Sequence, residues 1–146
     1  PPGAGQKYLN KISGPLLDRI DLHVEVTPVA FSELSSAQSF EKSVGIRERV
    51  IKARAIQAER YKESEGVYAN AQMSSKQLKE ICVISTAGQN LLKVAMEKLN
   101  LSARAYDRIL KVSRTIADLS ASSDIKPEHL AEAIQYRSLD REGWTG

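Results

Sequence analysis

Ser102-Ala103-Arg104-Ala105-Tyr106-Asp107-Arg108-Ile109-Leu110-Lys111-Val112-Ser113-Arg114-Thr115-Ile116-Ala117-Asp118-Leu119 reads as one two-faced helix. Ser102 is a preferred N-cap, and Leu101 and Tyr106 stand at the N′ and N4 positions of a hydrophobic staple. Arg104, Arg108 and Lys111 recur at i, i+4 and i+7 and share a basic face. Tyr106, Ile109, Ser113 and Ile116 lie opposite, on a face that has to pack. The pattern holds to about Ala121.

Outward from this helix the chain stays helical. Pro127-Glu128 opens a last helix, with Pro in the first turn and an acid near the positive end of the macrodipole, and Leu130, Ala131 and Ile134 form its buried side. On the N-terminal side, Ser75 to Cys82 and Thr86 to Leu99 are two short helices, capped by Ser74 or Ser75 and by Ser85 or Thr86. Before them a long basic helix runs from about Glu41 to Lys62. Its apolar groups are Val44, Ile51, Ala55 and Ala58, beside Ile46, Val50 and Ala53. The expected fold is therefore mainly α, a bundle of four to five helices over 42–137. A linker over 31–41 precedes it and a tail over 138–146, containing Trp144, follows.

Residues 1–30 read differently. Ile20-Asp21-Leu22-His23-Val24-Glu25-Val26 alternates apolar and polar, the period of a half-buried strand, and ends at Pro28. Tyr8 to Ile12 and Pro15 to Arg19 are short helical turns separated by Ser13-Gly14. A single strand cannot satisfy its own backbone groups, so its sheet partners are expected in sequence outside these 146 residues. The opening Pro1-Pro2-Gly3 likewise reads as a start partway through a longer product.

The chain is 42% apolar and 27% charged, within the range of globular proteins. It has no apolar run of membrane-spanning length and no signal-like leader, so a cytoplasmic chain is expected. A formal charge of +3 permits an anionic partner without forming a dense Lys/Arg track. Cys82, the only cysteine, lies in the apolar run Ile81-Cys82-Val83-Ile84 and is expected to be buried.

Among residues that could carry chemistry, Arg104 is the most informative. A cation at the second helical position opposes the helix dipole by a few tenths to about 1 kcal/mol. An anionic phosphate at the free N–H groups would offset that cost, and so would a surface acid; both readings stay open. Arg108 and Lys111 either support a phosphate or an interface, or belong to a solvated face paired with neighbours such as Asp107 or Asp118. Arg19 sits at the end of a helical turn between Asp18 and Asp21. Local pairing is one reading, and an arginine reaching across an interface to a transferring phosphoryl group is the other. His23 falls on the polar face of the expected strand without a ligand companion, and His129 is expected at the surface; no metal site is assigned. Arg47, Lys52, Arg54 and Arg60 read as a solvated face offset by Glu48, Glu59 and Glu63. There is no GxxxxGK[ST] loop, so these residues alone do not build a nucleotide site or a tightly bound cofactor site.

Tyr8-Leu9-Asn10-Lys11-Ile12-Ser13-Gly14-Pro15-Leu16-Leu17-Asp18-Arg19-Ile20-Asp21-Leu22 resembles a segment of magnesium-chelatase-like AAA+ ATPases of the ComM/YifB type. Ser102 to Leu119 is similar to a second signature of that family, and Ile125-Lys126-Pro127-Glu128-His129-Leu130 with Glu132 to Arg137 also fits. The resemblance implies that residues 1–30 are the last piece of an α/β ATPase core and that the helices form its lid. It maps the arginine finger, acting in trans, onto Arg19 and the nucleotide-sensing sensor-2 arginine onto Arg104. It further implies ATP and Mg²⁺ as cofactors of the full-length protein, the protein's own ATPase core and neighbouring subunits of a ring, commonly a hexamer, as partners, and DNA as the motor's substrate through branch migration of transforming DNA. Two alternatives stand beside it: a magnesium chelatase subunit of tetrapyrrole biosynthesis, and a stand-alone helical nucleic-acid-binding module.

Overall fold

The computed structural model describes residues 7, 8, 10–31 and 40–137. Among them are six α-helices: α1 Gly14–Leu17, α2 Ser43–Tyr61, α3 Ser75–Ile81, α4 Thr86–Lys98, α5 Ala103–Leu119 and α6 Pro127–Gln135, with a 3₁₀ turn at Asn70–Gln72 between α2 and α3. The expected linker lies mostly, and the tail entirely, outside the described residues, and the expected turn at Tyr8 to Ile12 runs across one such position, Leu9.

Three helix starts follow the caps legible in the sequence. Ser74, Ser85 and Ser102 each accept a hydrogen bond on Oγ from the N–H three residues on, at 3.2–3.3 Å. This satisfies one of the N-terminal donors that a helix leaves unpaired. The ends of α4 and α5 are also closed. Leu101 N–H reaches Met96 O at 3.0 Å with Asn100 at φ 47°, and Ser122 N–H reaches Ala117 O at 2.8 Å with Ala121 at φ 51°. Both are Schellman-type ends, one through Asn and one through Ala.

α5 is the central element and packs against α2, α3, α6 and the 3₁₀ turn, while α4 packs on α6. Ile109, Leu110 and Ala117 of α5 join Leu92 of α4 and Leu130 and Ala133 of α6 in a core closed below by Tyr61, Met73, Leu78 and Cys82. Ile109 and Leu130 are wholly removed from solvent, each burial stabilising by about 1.5–3 kcal/mol. A single parallel bridge, Ile84 to Ile125, ties the loops before α4 and α6.

Two apolar patterns of the sequence meet no partner among the described residues. Residues 20–26 form no ladder, and Val24 and Val26 face solvent, because no partner strand lies beside the segment among the described residues. In α2, Val44, Ile46, Val50 and Ile51 are exposed, and the buried positions are Ala53, Gln57 and Tyr61. Only the C-terminal half of α2 lies against α5, so the helix is selected by i, i+4, i+8 contacts at that end.

Candidate functional site

The polar centre of the bundle is Asp118, whose side chain has no solvent exposure. Its Oδ1 accepts from Arg60 Nη2 at 2.5 Å and Arg114 Nε at 3.2 Å. Its Oδ2 accepts from Arg60 Nη1 at 2.7 Å and Asn70 Nδ2 at 2.9 Å. Burial alone would raise this carboxyl, but hydrogen bonds from Arg60 and Asn70 and the charges of both arginines outweigh it and hold it below the ordinary carboxylate value. Asn70 is used in full: Oδ1 accepts from Arg60 and from Tyr61 Oη, Nδ2 also reaches Thr115 Oγ1, and its N–H donates to Gln57 Oε1. Arg114 extends the network to the carbonyls of Ser122 and Ser123 at 2.6 and 2.8 Å. The cluster locks α2, the 3₁₀ turn, α5 and the following loop together. Arg60, read in sequence as solvated, is thus part of the interior; its partner lies 58 residues away and carries no local signal.

The basic face of α5 divides by commitment. Lys111 Nζ donates to the carbonyls of Ala71 and Met73 at 3.1 and 3.0 Å, closing the 3₁₀ turn. Arg108 Nη1 donates to Asp21 Oδ1 at 2.6 Å, in a pair whose side chains are 32% and 42% exposed. Arg104 lies one turn toward the N-terminus, about 6 Å along the axis. It is exposed and engages no hydrogen-bond or ion-pair partner among the described residues. The helix start beside it is capped by Ser102 on the Ala105 N–H, which leaves the positive end of a 17-residue helix next to an uncommitted guanidinium.

Arg19 is also exposed, with Nη1 on Pro15 O at 3.3 Å inside its own turn. Its segment is fastened to the bundle by polar contacts on both sides of it. Arg137, buried at the end of α6, donates to Ile20 O and, at 3.4 Å, to Leu17 O. His23 N–H donates to Tyr136 O at 2.8 Å, and Asp21 takes Arg108. His23 is buried rather than on a polar strand face. Its Nε2 donates to Leu17 O at 3.3 Å and its Nδ1 has no partner. A cavity of about 290 Å³ opens between this segment, α5 and α6, lined in part by Asp21, Leu22, Thr115, Leu119 and Tyr136. The junction is therefore held at polar points rather than by close apolar packing. His129 is likewise buried, because its Nδ1 accepts the Lys126 N–H at 3.1 Å and caps α6.

Among the described residues no group of three His, Cys, Asp or Glu side chains is disposed to hold a metal ion, and no helix is long and apolar enough to cross a membrane.

Comparison with known proteins assigns both parts of the chain. The family model described as magnesium chelatase, subunit ChlI C-terminal, matches residues 40–137, and the model described as magnesium chelatase, subunit ChlI, matches residues 1–34. Competence protein ComM of Haemophilus influenzae is 44% identical over 136 residues, covering 92% of this chain and 26% of that protein. The YifB proteins of Salmonella typhimurium and Escherichia coli are each 38% identical with the same coverage. The chain thus spans about a quarter of the length of the curated relatives it matches.

Proposed function

Because the chain belongs to the magnesium chelatase family in its ComM/YifB type, we propose that it is the finger-and-lid portion of an AAA+ ATP hydrolase that works as a ring, commonly a hexamer, on DNA. In this reading Arg104 holds a phosphate oxygen of a bound nucleotide and couples nucleotide state to the lid. Arg19 reaches the γ-phosphate held by a neighbouring subunit and stabilises the charge that develops during phosphoryl transfer. ATP with Mg²⁺ supplies the transferable phosphoryl group in the full-length protein.

One observation carries the reading. Along α5, Arg108, Lys111 and Arg114 are committed to carboxylates or carbonyls. Arg104 and Arg19 are exposed and meet no carboxylate among the described residues. An arginine kept off every acid keeps most of its donors for a ligand, Arg19 having one on the Pro15 carbonyl, and bidentate donors suit phosphate. The name of the Haemophilus influenzae relative, a competence protein, favours DNA as the substrate over a tetrapyrrole.

The two arginines separate by kinetics in the full-length protein. Arg19→Ala is expected to lower kcat for ATP by about 10³-fold or more while leaving nucleotide affinity unchanged. Arg104→Ala is expected to weaken nucleotide binding, measured with a fluorescent ATP analogue. A normal kcat in Arg19→Ala rules out the finger, and unchanged affinity in Arg104→Ala rules out the sensor.

A further inference from the structure

We propose that Asp21 and Arg108 are positioning residues, a latch through which the lid helix α5 sets the presentation of Arg19. The inference rests on the finger reading of Arg19 and goes beyond it, because it makes the finger segment a passenger of the lid. Asp21 lies two residues after Arg19, and its carboxylate takes Arg108 Nη1 at 2.6 Å. Arg108 lies one turn from Arg104 on the same face of the same helix. A displacement of α5 produced at Arg104 therefore moves Arg108, Asp21 and the turn bearing Arg19 together.

Two features make this a latch rather than a fixed joint. The pair is a third to two-fifths exposed, so it exchanges with water, and exposed pairs add little to stability. The rest of the attachment is a short set of polar contacts with little apolar packing beside it: the carbonyls of Leu17 and Ile20 accept from the buried Arg137, the His23 N–H donates to Tyr136 O, and the side chains of Ile20 and Leu22 stay exposed. Arg108 as a direct phosphate ligand would have to leave Asp21 first. The contact with Asp21 instead gives it a role through the finger segment.

The test uses mixed assemblies of the full-length protein in which one type of subunit cannot bind ATP and so contributes only its finger. Arg108→Gln or Asp21→Asn in that type is expected to lower the neighbour's kcat roughly tenfold, as a displaced catalytic group does, with KM for ATP unchanged. Exchanging the charges, Asp21→Arg with Arg108→Asp, is expected to restore kcat to within about threefold. The latch is overturned if kcat stays unchanged in the single variants, if the exchange fails to restore it, if the change appears in KM, or if both single variants lose the fold. Arg19→Ala in the same subunits is the control for the underlying reading. If it leaves the neighbour's kcat untouched, the finger assignment fails; if it abolishes kcat while the latch variants do not, the latch alone fails.

Discussion

Asp118 stays ionised with its side chain fully inside the protein because four donors from three residues surround it. Asp118→Asn leaves Arg60 and the nearly buried Arg114 without a counter-charge, a change expected to cost about 3–5 kcal/mol in urea unfolding. The pKa of Asp118 is lower in the folded than in the unfolded chain. Its stabilisation is thus fully present above the unfolded value, about 3.9, and is lost as pH falls through the depressed folded value. Wild-type stability should drop on that acid limb, and Asp118→Asn should flatten it. A second check at this scale is Cys82, whose thiol is pushed up to about 11, chiefly by burial. It should resist alkylation at pH 8 in the folded protein and react once the chain is unfolded in guanidinium. Burial of Cys82 was legible from its apolar neighbours. The full Asp118 cluster was not: Arg114 is its i, i+4 neighbour on α5, but Arg60 and Asn70 reach it only through the packing of α2 and the 3₁₀ turn on α5.

Helix starts were legible for the opposite reason: the Ser caps before α3, α4 and α5 act within three residues, and local chemistry survives in the sequence. The ends were less so, because α5 closes through Ala121 at φ 51°, where glycine is the usual residue. Ala121→Gly should relieve that strain and raise stability by about 1 kcal/mol, read as a higher urea midpoint at constant m. Gly88 of α4 shows the reverse constraint. A Cβ there would stand 2.8 Å from Leu130 Cδ1, in a side chain with no free surface to move into. Overpacking of about 1–3 kcal/mol outweighs the gain of about 1 kcal/mol that alanine brings to a helix. Gly88→Ala is therefore expected to lower the midpoint. The exposed N-terminal half of α2 could not be read from periodicity, which marks apolar positions without saying which turns meet a neighbour.

At the scale of the molecule, the helical bundle was legible because α3, α4 and α5 carry Ser caps and α6 opens on Pro127. The leading segment forms no strand here: the alternation at Ile20 to Val26 is real in sequence, but no partner lies beside it among the described residues, as expected of a strand whose sheet partners lie outside these residues. What holds it instead, Arg137 on two carbonyls and Asp21 on Arg108, spans 87 to 120 residues of chain and has no sequence period. The outcome joins the two arginines marked in sequence: Arg19 on the segment and Arg104 on the helix to which that segment is fastened, both exposed. The most direct test is a mixing titration of the full-length protein, with wild-type and Arg19→Ala subunits combined at fixed total concentration and ATP turnover measured. A finger acting in trans predicts that pure Arg19→Ala assemblies are inactive. It also predicts that adding wild-type subunits restores turnover at ATP sites owned by variant subunits. Full turnover in pure Arg19→Ala assemblies, or activity confined to the wild-type subunits' own sites whatever their neighbours, would contradict it.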